Sequence, residues 1–334
     1  MSEQPSIITD ELRAAVGVES APCEVEIERS AIGKYAAAIQ DPNPIYFDAA
    51  FAKRTPHGAI IAPPTFLCAL ELDSAELDIP IPATHTEQLN GGVEYIYERP
   101  IRVHEVLIAT RRLAAVSEAD GRLGRMLFLN NEIAFHDSDG KLVAQQISTG
   151  IRYPRPKEDQ RQKQAAAAAP PAPADDRDVA GPQQIDVEQR LRPRYFEDVV
   201  AGEQLPPLPK KPLLRHLVMY AGASGNFLEY HYDPEVARAL GMPGLILHGN
   251  LKVAYLGQIV TDWIGAHGTV LKLVAQLRGM DRLGDVCLVQ GKVTRVFRQD
   301  GRGLAELELW GEAPGGRKTM TGSAVLALPC RESH

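Results

Sequence analysis

The two halves of this chain repeat one another, and that repetition constrains the fold more than any other feature of its 334 residues. Tyr35 to Ala38 matches Tyr220 to Ala223, an offset of 185 positions (220 minus 35). The same offset holds for three further pairs: Asp41 with Asn226, Tyr46 with His231, and Asp48 with Asp233. Farther along, positions 102–106 match positions 282–286. We therefore interpret the chain as a duplication with divergence, which predicts one fold used twice.

Each half follows one order of elements: a short helix, a polar loop, a longer helix and then several strands. In the C-terminal half, Leu214 to Ala223 predicts the short helix and Asn250 to Ile264 the long one, because apolar residues recur there at helical spacing. Four strands are predicted at about 270–278, 285–298, 304–310 and 318–328. Asp139-Gly140 and Asp300-Gly301 are hairpin signals in equivalent places. This order predicts an α+β fold with a helix packed on an antiparallel sheet.

A segment rich in Ala, Pro and charge separates the halves. It has no apolar periodicity and cannot bury enough surface to offset its ordering entropy, so we predict a linker at 155–189. A short Ala-rich helix at 163–169 is the alternative, because alanine has the highest helix propensity. The predicted domains are therefore 1–154 and 190–334.

The charge balance and the termini exclude several classes of protein. A net charge of −7 argues against a general nucleic-acid-binding surface. The polar, acidic N-terminus lacks the features of a secretory signal, and no stretch approaches the ~20 apolar residues of a membrane span. The four cysteines lie far apart, without metal-ligand spacing. We expect a cytoplasmic protein with reduced thiols and no bound metal.

The residues from Tyr220 to Asp233, followed by Gly244 to Gly249, resemble the hydratase motif of MaoC-like (R)-specific enoyl-CoA hydratases and dehydratases. The N-terminal half, with Asp41 to Tyr46 and Ala62 to Phe66, resembles a FAS1-like dehydratase domain. The resemblance implies a tandem double hotdog, in which each half has a long helix wrapped by a curved antiparallel sheet. It also implies reversible addition of water to an enoyl-CoA thioester, with the thioester as substrate and no cofactor.

The resemblance assigns roles to single residues of the C-terminal half. His231 lies at the catalytic acid/base position, and Gly249 at the position whose backbone N–H binds the thioester oxygen. Asn226 stands where the family has a catalytic Asp, and an amide can position water but cannot take its proton. We therefore expect His231 to act alone or with Glu229. Ser224, Glu229 and His248 are the expected substrate contacts.

The N-terminal half has lost the complementary parts. Tyr46 replaces the His, and Pro63, which has no N–H, replaces the oxyanion-binding Gly. We expect this half to be non-catalytic and to complete the acyl tunnel. Two alternatives stay open: a catalytically degenerate acyl-thioester-binding or scaffolding protein, and a thioesterase, for which only Glu229 offers a carboxylate in the motif. The sequence also leaves open the acyl chain and whether two chains form a homodimer.

Overall fold

The computed structural model describes residues 6–72, 77–121, 123–155 and 187–331. Within these residues, ten strands form one antiparallel sheet, and each half supplies five of them. The strands of the N-terminal half are β1 (Cys23–Glu26), β2 (Glu87–Tyr97), β3 (Val106–Gly121), β4 (Gly124–His136) and β5 (Leu142–Tyr153). Those of the C-terminal half are β6 (Leu208–Lys210), β7 (Thr269–Leu277), β8 (Cys287–Gln299), β9 (Arg302–Ala313) and β10 (Arg317–Leu328). Their order across the sheet is β1-β3-β4-β5-β2-β7-β10-β9-β8-β6.

The two hairpin signals lie where the sequence predicts them. Between β8 and β9, Asp300 and Gly301 both have positive φ angles, of 49° and 74°. Two such residues twist the loop in the direction that a two-residue hairpin needs. Between β4 and β5, Gly140 has a φ of 76°, and Asp137 closes the turn by accepting the N–H of Asp139. The strand and hairpin predictions for the C-terminal half are confirmed.

The halves join at the centre of the sheet, where β2 pairs with β7. The antiparallel register runs from Gly92 opposite Gln276 to Ile96 opposite Lys272, so that Glu94 faces Val274 at its midpoint. A methyl group on Gly92 would lie 2.3 Å from the carbonyl oxygen of Ala275, so only glycine permits this close approach. The two halves therefore share one continuous sheet.

The described helices of the N-terminal half are short: α1 (Asp10–Ala14), α2 (Arg29–Ala38), α3 (Ala49–Lys53) and the 3-10 turns Pro44–Tyr46 and Phe66–Ala69. The C-terminal half has α4 (Val187–Leu191), α5 (Leu214–Ser224), α6 (Pro234–Ala239) and the long α7 (Gly249–Ile264). Its 3-10 turns are Phe196–Asp198, Glu229–His231 and Gly265–His267. The predicted ends of α5 and α7 are correct to within one residue.

Helix α7 is buried on every side, with only Gly249, Asn250 and Asp262 outside the buried set. A helix that is apolar all round must be covered all round. The C-terminal sheet covers one face. The N-terminal half covers another, since a methyl group on Gly257 would lie 3.2 Å from Cγ2 of Thr65 and 3.4 Å from Cγ of Pro64. One helix thus serves as core for both halves.

The N-terminal half departs from the predicted long helix. Between α3 and β2, the described residues contain only the 3-10 turn Phe66–Ala69, and residues 73–76 lie outside the description. Pro63 and Pro64 stand where the helix would begin, while Pro80 and Pro82 precede β2. Prolines in the first turn of a helix or beyond its end are compatible with a helix between them, so they do not account for the difference. The repeated motif predicted a long helix, and the described residues have a 3-10 turn there instead.

The predicted linker at 155–189 lies almost wholly outside the described residues, and the domain boundaries therefore stay predictions. Beyond it, Arg190 on α4 is bound to Asp262 of α7 with an Nη2–Oδ1 distance of 2.5 Å. Among the described residues, no helix has both the length and the apolar character needed to cross a bilayer.

Candidate active site

The loop that follows α5 carries the motif and is shaped by three local features. Gly225 ends α5 in the left-handed conformation, with a φ of 67°. The side chain of Asn226 then accepts the N–H of Leu228 at 3.4 Å, and Asp233 caps α6 by accepting two backbone N–H groups. Between these caps, the 3-10 turn Glu229–His231 directs the imidazole of His231 inward, where it is 4% exposed.

One hydrogen bond fixes the tautomer of His231. Its Nδ1 lies 2.8 Å from the carbonyl oxygen of Ile246. A carbonyl only accepts, so Nδ1 carries the proton and Nε2 keeps its lone pair in the neutral ring. Burial lowers the pKa of His231, and the bond to Ile246 opposes this only in part. The ring is therefore neutral at pH 7, with Nε2 able to accept a proton.

His248 lies directly beneath His231. The two rings stack with centroids 3.7 Å apart and an interplanar angle of 24°, and His248 has no exposed surface. Its Nε2 is 3.3 Å from the carbonyl oxygen of Asn226, while its buried Nδ1 has no partner among the described residues. Burial, with a smaller contribution from His231, lowers the pKa of His248 to about 3. The structure therefore shows His248 as a neutral support for His231, and its expected substrate contact stays a prediction.

Helix α7 begins at Gly249, directly after His248. The N-cap residue His248 makes no side-chain cap, so it leaves the first backbone N–H groups of α7 for another partner. Such N–H groups, with the helix dipole behind them, favour a negatively charged oxygen. A methyl group on Gly249 would lie 2.6 Å from Cδ1 of Leu277. The side chain of Leu277 therefore packs directly against Gly249, which favours glycine at this position.

A buried ion pair fixes the first turn of α7. The Nζ of Lys252 lies 2.7 Å from Oδ2 of Asp281, and both side chains are 2% exposed. Lys252 also donates to the carbonyl oxygens of Gly279 and Thr319, and the Thr319 hydroxyl donates to Asp281. The backbone carbonyl of Asp281 accepts the N–H of Leu247 at 2.9 Å. The pair thus ties both the helix and the segment before it to the sheet.

The other predicted site residues surround this arrangement at different depths. Asn226 is half-buried, and its backbone carbonyl oxygen lies 3.3 Å from Nε2 of His248. Ser224 is also half-buried, but its hydroxyl donates to the carbonyl of Tyr220 at 2.6 Å, within the last turn of α5. Glu229 is exposed at the start of the 3-10 turn, whereas His231 at its end is buried. This opposite exposure does not favour a shared acid–base role for Glu229.

One residue next to this site escaped the sequence analysis. Asn90 lies on β2, in the other half of the chain, and its Nδ2 donates to Oδ1 of Asn250 at 2.9 Å. The same Nδ2 lies 3.4 Å from the position of a methyl group built on Gly249. The sequence signal was Asn90-Gly91-Gly92, because glycines inside a strand mark a bulge or a close backbone approach.

The equivalent positions of the N-terminal half line an apolar cleft of about 550 Å³, its open mouth included. Tyr46, Ala62 and Pro63 line this cleft in place of His231, His248 and Gly249. Behind it, Asp41 is buried and accepts the N–H of Asn43, as Asn226 accepts that of Leu228. Burial, aided by Asp262, raises the pKa of Asp41 to about 7. The cleft has the shape of a binding site without an imidazole at the equivalent position.

Across the described ranges, no group of three or more His, Cys, Asp and Glu side chains is placed to hold a metal ion. The four cysteines are free. The two imidazoles of His231 and His248 lie together at the α7 N-terminus.

The low pKa of His248 makes stability depend on pH in a defined direction. Between the unfolded pKa of ~6.5 and the folded value, only the unfolded chain binds the proton, so stability falls as pH falls below ~6.5. One such group costs about 1.4 kcal/mol per pH unit, or about 2 kcal/mol at pH 5. We expect His248→Asn to show less of this loss than wild type in urea unfolding at pH 7 and pH 5. His136→Asn is the control, and equal pH dependence in all three proteins would contradict the assignment.

Comparison with known families assigns each half separately. The FAS1-like dehydratase domain region matches residues 14–146, and the MaoC-like domain matches residues 200–294. A UPF0336 protein of Thermobifida fusca is 33% identical over 116 residues, which are 34% of this chain and 75% of the relative. These matches confirm the tandem arrangement to which the motifs pointed.

Solved structures confirm the fold. A MaoC-like dehydratase, 22% identical, superimposes with a TM-score of 0.74 over 96% of this chain and 99% of its own. A conserved hypothetical protein of Mycobacterium tuberculosis, described as having a double hotdog fold, is 13% identical and has a TM-score of 0.63. That match covers 94% of this chain and 96% of the other. The predicted double hotdog is therefore correct, apart from the long helix that the described N-terminal half lacks.

Proposed function

Because this chain belongs to the family of MaoC-like dehydratases, in tandem with a FAS1-like dehydratase region, we propose that it hydrates and dehydrates an acyl thioester. The substrate class is a trans-2-enoyl-CoA and its (R)-3-hydroxyacyl product. One observation supports the proposal. The neutral imidazole of His231, whose Nε2 has no hydrogen-bond partner among the described residues, lies beside the N-terminus of α7, whose first backbone N–H groups have no side-chain cap.

The reaction divides between these two parts. Nε2 of His231 takes a proton from water as the water oxygen bonds to C3 of the enoyl group. The electron pair of the C2–C3 double bond moves toward the thioester oxygen, where the N–H of Gly249 stabilises the developing charge. His231 then returns the proton to C2. Because one imidazole serves both steps, hydroxyl and hydrogen add to the same face of the double bond.

Asn226 has the role of positioning water in this mechanism. Its amide oxygen can accept a hydrogen bond from the water that His231 deprotonates, but the amide cannot itself act as a base. His248 keeps the ring of His231 in place by stacking, at a centroid distance of 3.7 Å. A buried, unprotonated His248 also adds no positive charge that would disfavour proton uptake by His231.

A second candidate is an acyl-thioester-binding protein without catalysis. Asn226 favours it, because the position lacks the carboxylate that the family motif uses. A thioesterase has less support, since Glu229 is exposed while His231 is buried. The three candidates differ in what they do to crotonyl-CoA: hydration removes the enone absorbance, hydrolysis releases a thiol, and binding alone does neither.

Asn226→Asp tests the proposal against the binding protein. The change adds a second acid/base group of the same size, so turnover of crotonyl-CoA should rise about tenfold or more, within the range of general acid–base assistance. The gain should disappear in Asn226→Asp/His231→Gln, because the new carboxylate works only beside the imidazole. Hydration rate and melting temperature are measured together across acyl chain lengths. No turnover in wild type or variant, with acyl-CoA still bound, would reject the hydratase and leave the binding protein.

A further inference from the structure

The N-terminus of α7 faces a side chain from the opposite half of the molecule. Asn90 belongs to β2, and its amide lies beside Gly249 and bonds to Asn250, the first two residues of α7. The oxyanion-binding end of the site in the C-terminal half is therefore completed by the N-terminal half.

Two hydrogen bonds determine which way the amide of Asn90 points. The backbone N–H of Gly92 lies 3.0 Å from Oδ1 of Asn90, and a backbone N–H can only donate. The oxygen therefore faces Gly92, and the NH₂ group faces Asn250 and Gly249. One N–H of this group donates to Oδ1 of Asn250. The second N–H has no acceptor among the described residues, and the side chain is exposed, so a donor is oriented and available.

A β-bulge places the side chain there, and the same bulge occurs in both halves. In β2, Asn90 pairs with Gly150 and Gly92 with Thr149, which leaves Gly91 unpaired. In β7, Val270 pairs with Leu326 and Lys272 with Val325, which leaves Leu271 unpaired. Bulges redirect side chains and are frequent beside active sites. The offset of 180 between these positions equals that between Arg102 and Arg282, so Val270 is the counterpart of Asn90.

The counterpart shows what this position does in the fold. Val270 lines the cleft of the N-terminal half, together with Tyr46 and Pro63. The position thus faces the site of the opposite half, and it carries valine where that half has lost the imidazole. It carries an amide where the imidazole is kept. The residue at this position is thus polar where the opposite half has an imidazole and apolar where it has none.

We infer that Asn90 is a catalytic residue of the site in the C-terminal half, where its Nδ2 donates a hydrogen bond to the thioester oxygen alongside the N–H of Gly249. The inference rests on the proposed function. Two donors at one oxygen stabilise the charge that develops there during water addition, and their effect is larger in the transition state than in the bound substrate. Asn90 thereby contributes to turnover more than to binding.

Asn90→Asp is the main test, because it keeps the shape and replaces the donor by an acceptor. Asn250 can rotate its amide to donate to the new carboxylate, so the helix end stays held. We expect kcat for crotonyl-CoA hydration to fall about tenfold to a hundredfold, with KM changing less than about threefold. Asn90→Ala should give a similar loss. The control is Gln88→Glu, which makes the same amide-to-carboxylate change at an exposed position of the same strand and should leave kcat within twofold.

The outcomes separate this inference from the proposed function. If wild type hydrates crotonyl-CoA and both Asn90 variants keep kcat within twofold, Asn90 is not a donor and the function stands. If only Asn90→Ala loses activity, Asn90 merely holds the helix end, which also overturns the inference. If wild type does not hydrate crotonyl-CoA, the proposed function fails, and the inference, which rests on it, fails with it.

Discussion

His231→Ala is expected to lower kcat for crotonyl-CoA hydration by about a thousandfold, since general acid–base catalysis by one positioned group contributes ~10²–10⁴-fold. Among the described residues, no other imidazole beside the α7 N-terminus can replace it, because the fully buried His248 has its pKa lowered to about 3 and has no exposed nitrogen. The measurement is the steady-state loss of enone absorbance at pH 7 on the purified variant.

Two further variants separate lost chemistry from lost structure. His231→Asn can still donate to the carbonyl of Ile246, where wild-type Nδ1 donates at 2.8 Å, because the amide nitrogen of Asn occupies the position of Nδ1, but it offers no base. It should be as inactive as His231→Ala and closer to wild type in melting temperature. His136→Ala, which removes an imidazole at the end of β4, should keep full activity. Activity in His231→Asn above a tenth of wild type would remove the proposed mechanism.

Lys252→Met is expected to give the largest loss of stability, about 3–5 kcal/mol in the free energy of unfolding. The change leaves the carboxylate of Asp281 buried without its cation, and Oδ1 of Asp281 already lacks a partner among the described residues. Denaturation in urea, followed by circular dichroism, measures the loss. Lys252→Met/Asp281→Leu should recover part of it, because an apolar pair of similar size avoids the unpaired charge.

The surface of the sheet offers a matched control for this variant. Lys272 on β7 pairs with Glu94 on β2 at 2.6 Å, and its side chain is 41% exposed. Exposed ion pairs contribute about 0–1 kcal/mol, so Lys272→Met should change stability little although it crosses the seam between the halves. Equal losses in Lys252→Met and Lys272→Met would show that burial of the ion pair is not what makes Lys252 important.

The parts of the fold that the sequence predicted are those with a local signal. Helical spacing located α5 and α7 to within a residue, and Asp300-Gly301 located a hairpin, because turn chemistry depends on neighbouring residues alone. The repeated motif predicted one fold used twice. The same repetition misled in the N-terminal half, where the described residues have the 3-10 turn Phe66–Ala69 in place of a long helix. The halves have diverged at this point, with Ala62-Pro63 in place of His248-Gly249.

The sequence predicted the part of the candidate site that lies in one motif, but not the contacts between residues that are far apart in the chain. His231, His248 and Gly249 belong to one motif, and the structure brings them together. Asn90, in the other half, bonds to the N-terminal end of α7, and Lys252 forms an ion pair with Asp281, about thirty positions later in the sequence. Such contacts depend on strand register and on the bulge at Gly91, which only the folded sheet sets. No periodic pattern in the sequence predicts these contacts.

Fusion of the two halves into one chain changes what a single mutation can do. In an assembly of two identical hotdog subunits, a substitution at the bulge would appear in both sites at once, and a gain at one would be copied to the other. Here positions 90 and 270 are separate codons, so the amide of Asn90 and the methyl groups of Val270 were free to arise independently. Selection can therefore enlarge the apolar cleft at one end of α7 without any effect on the polar donors at the other.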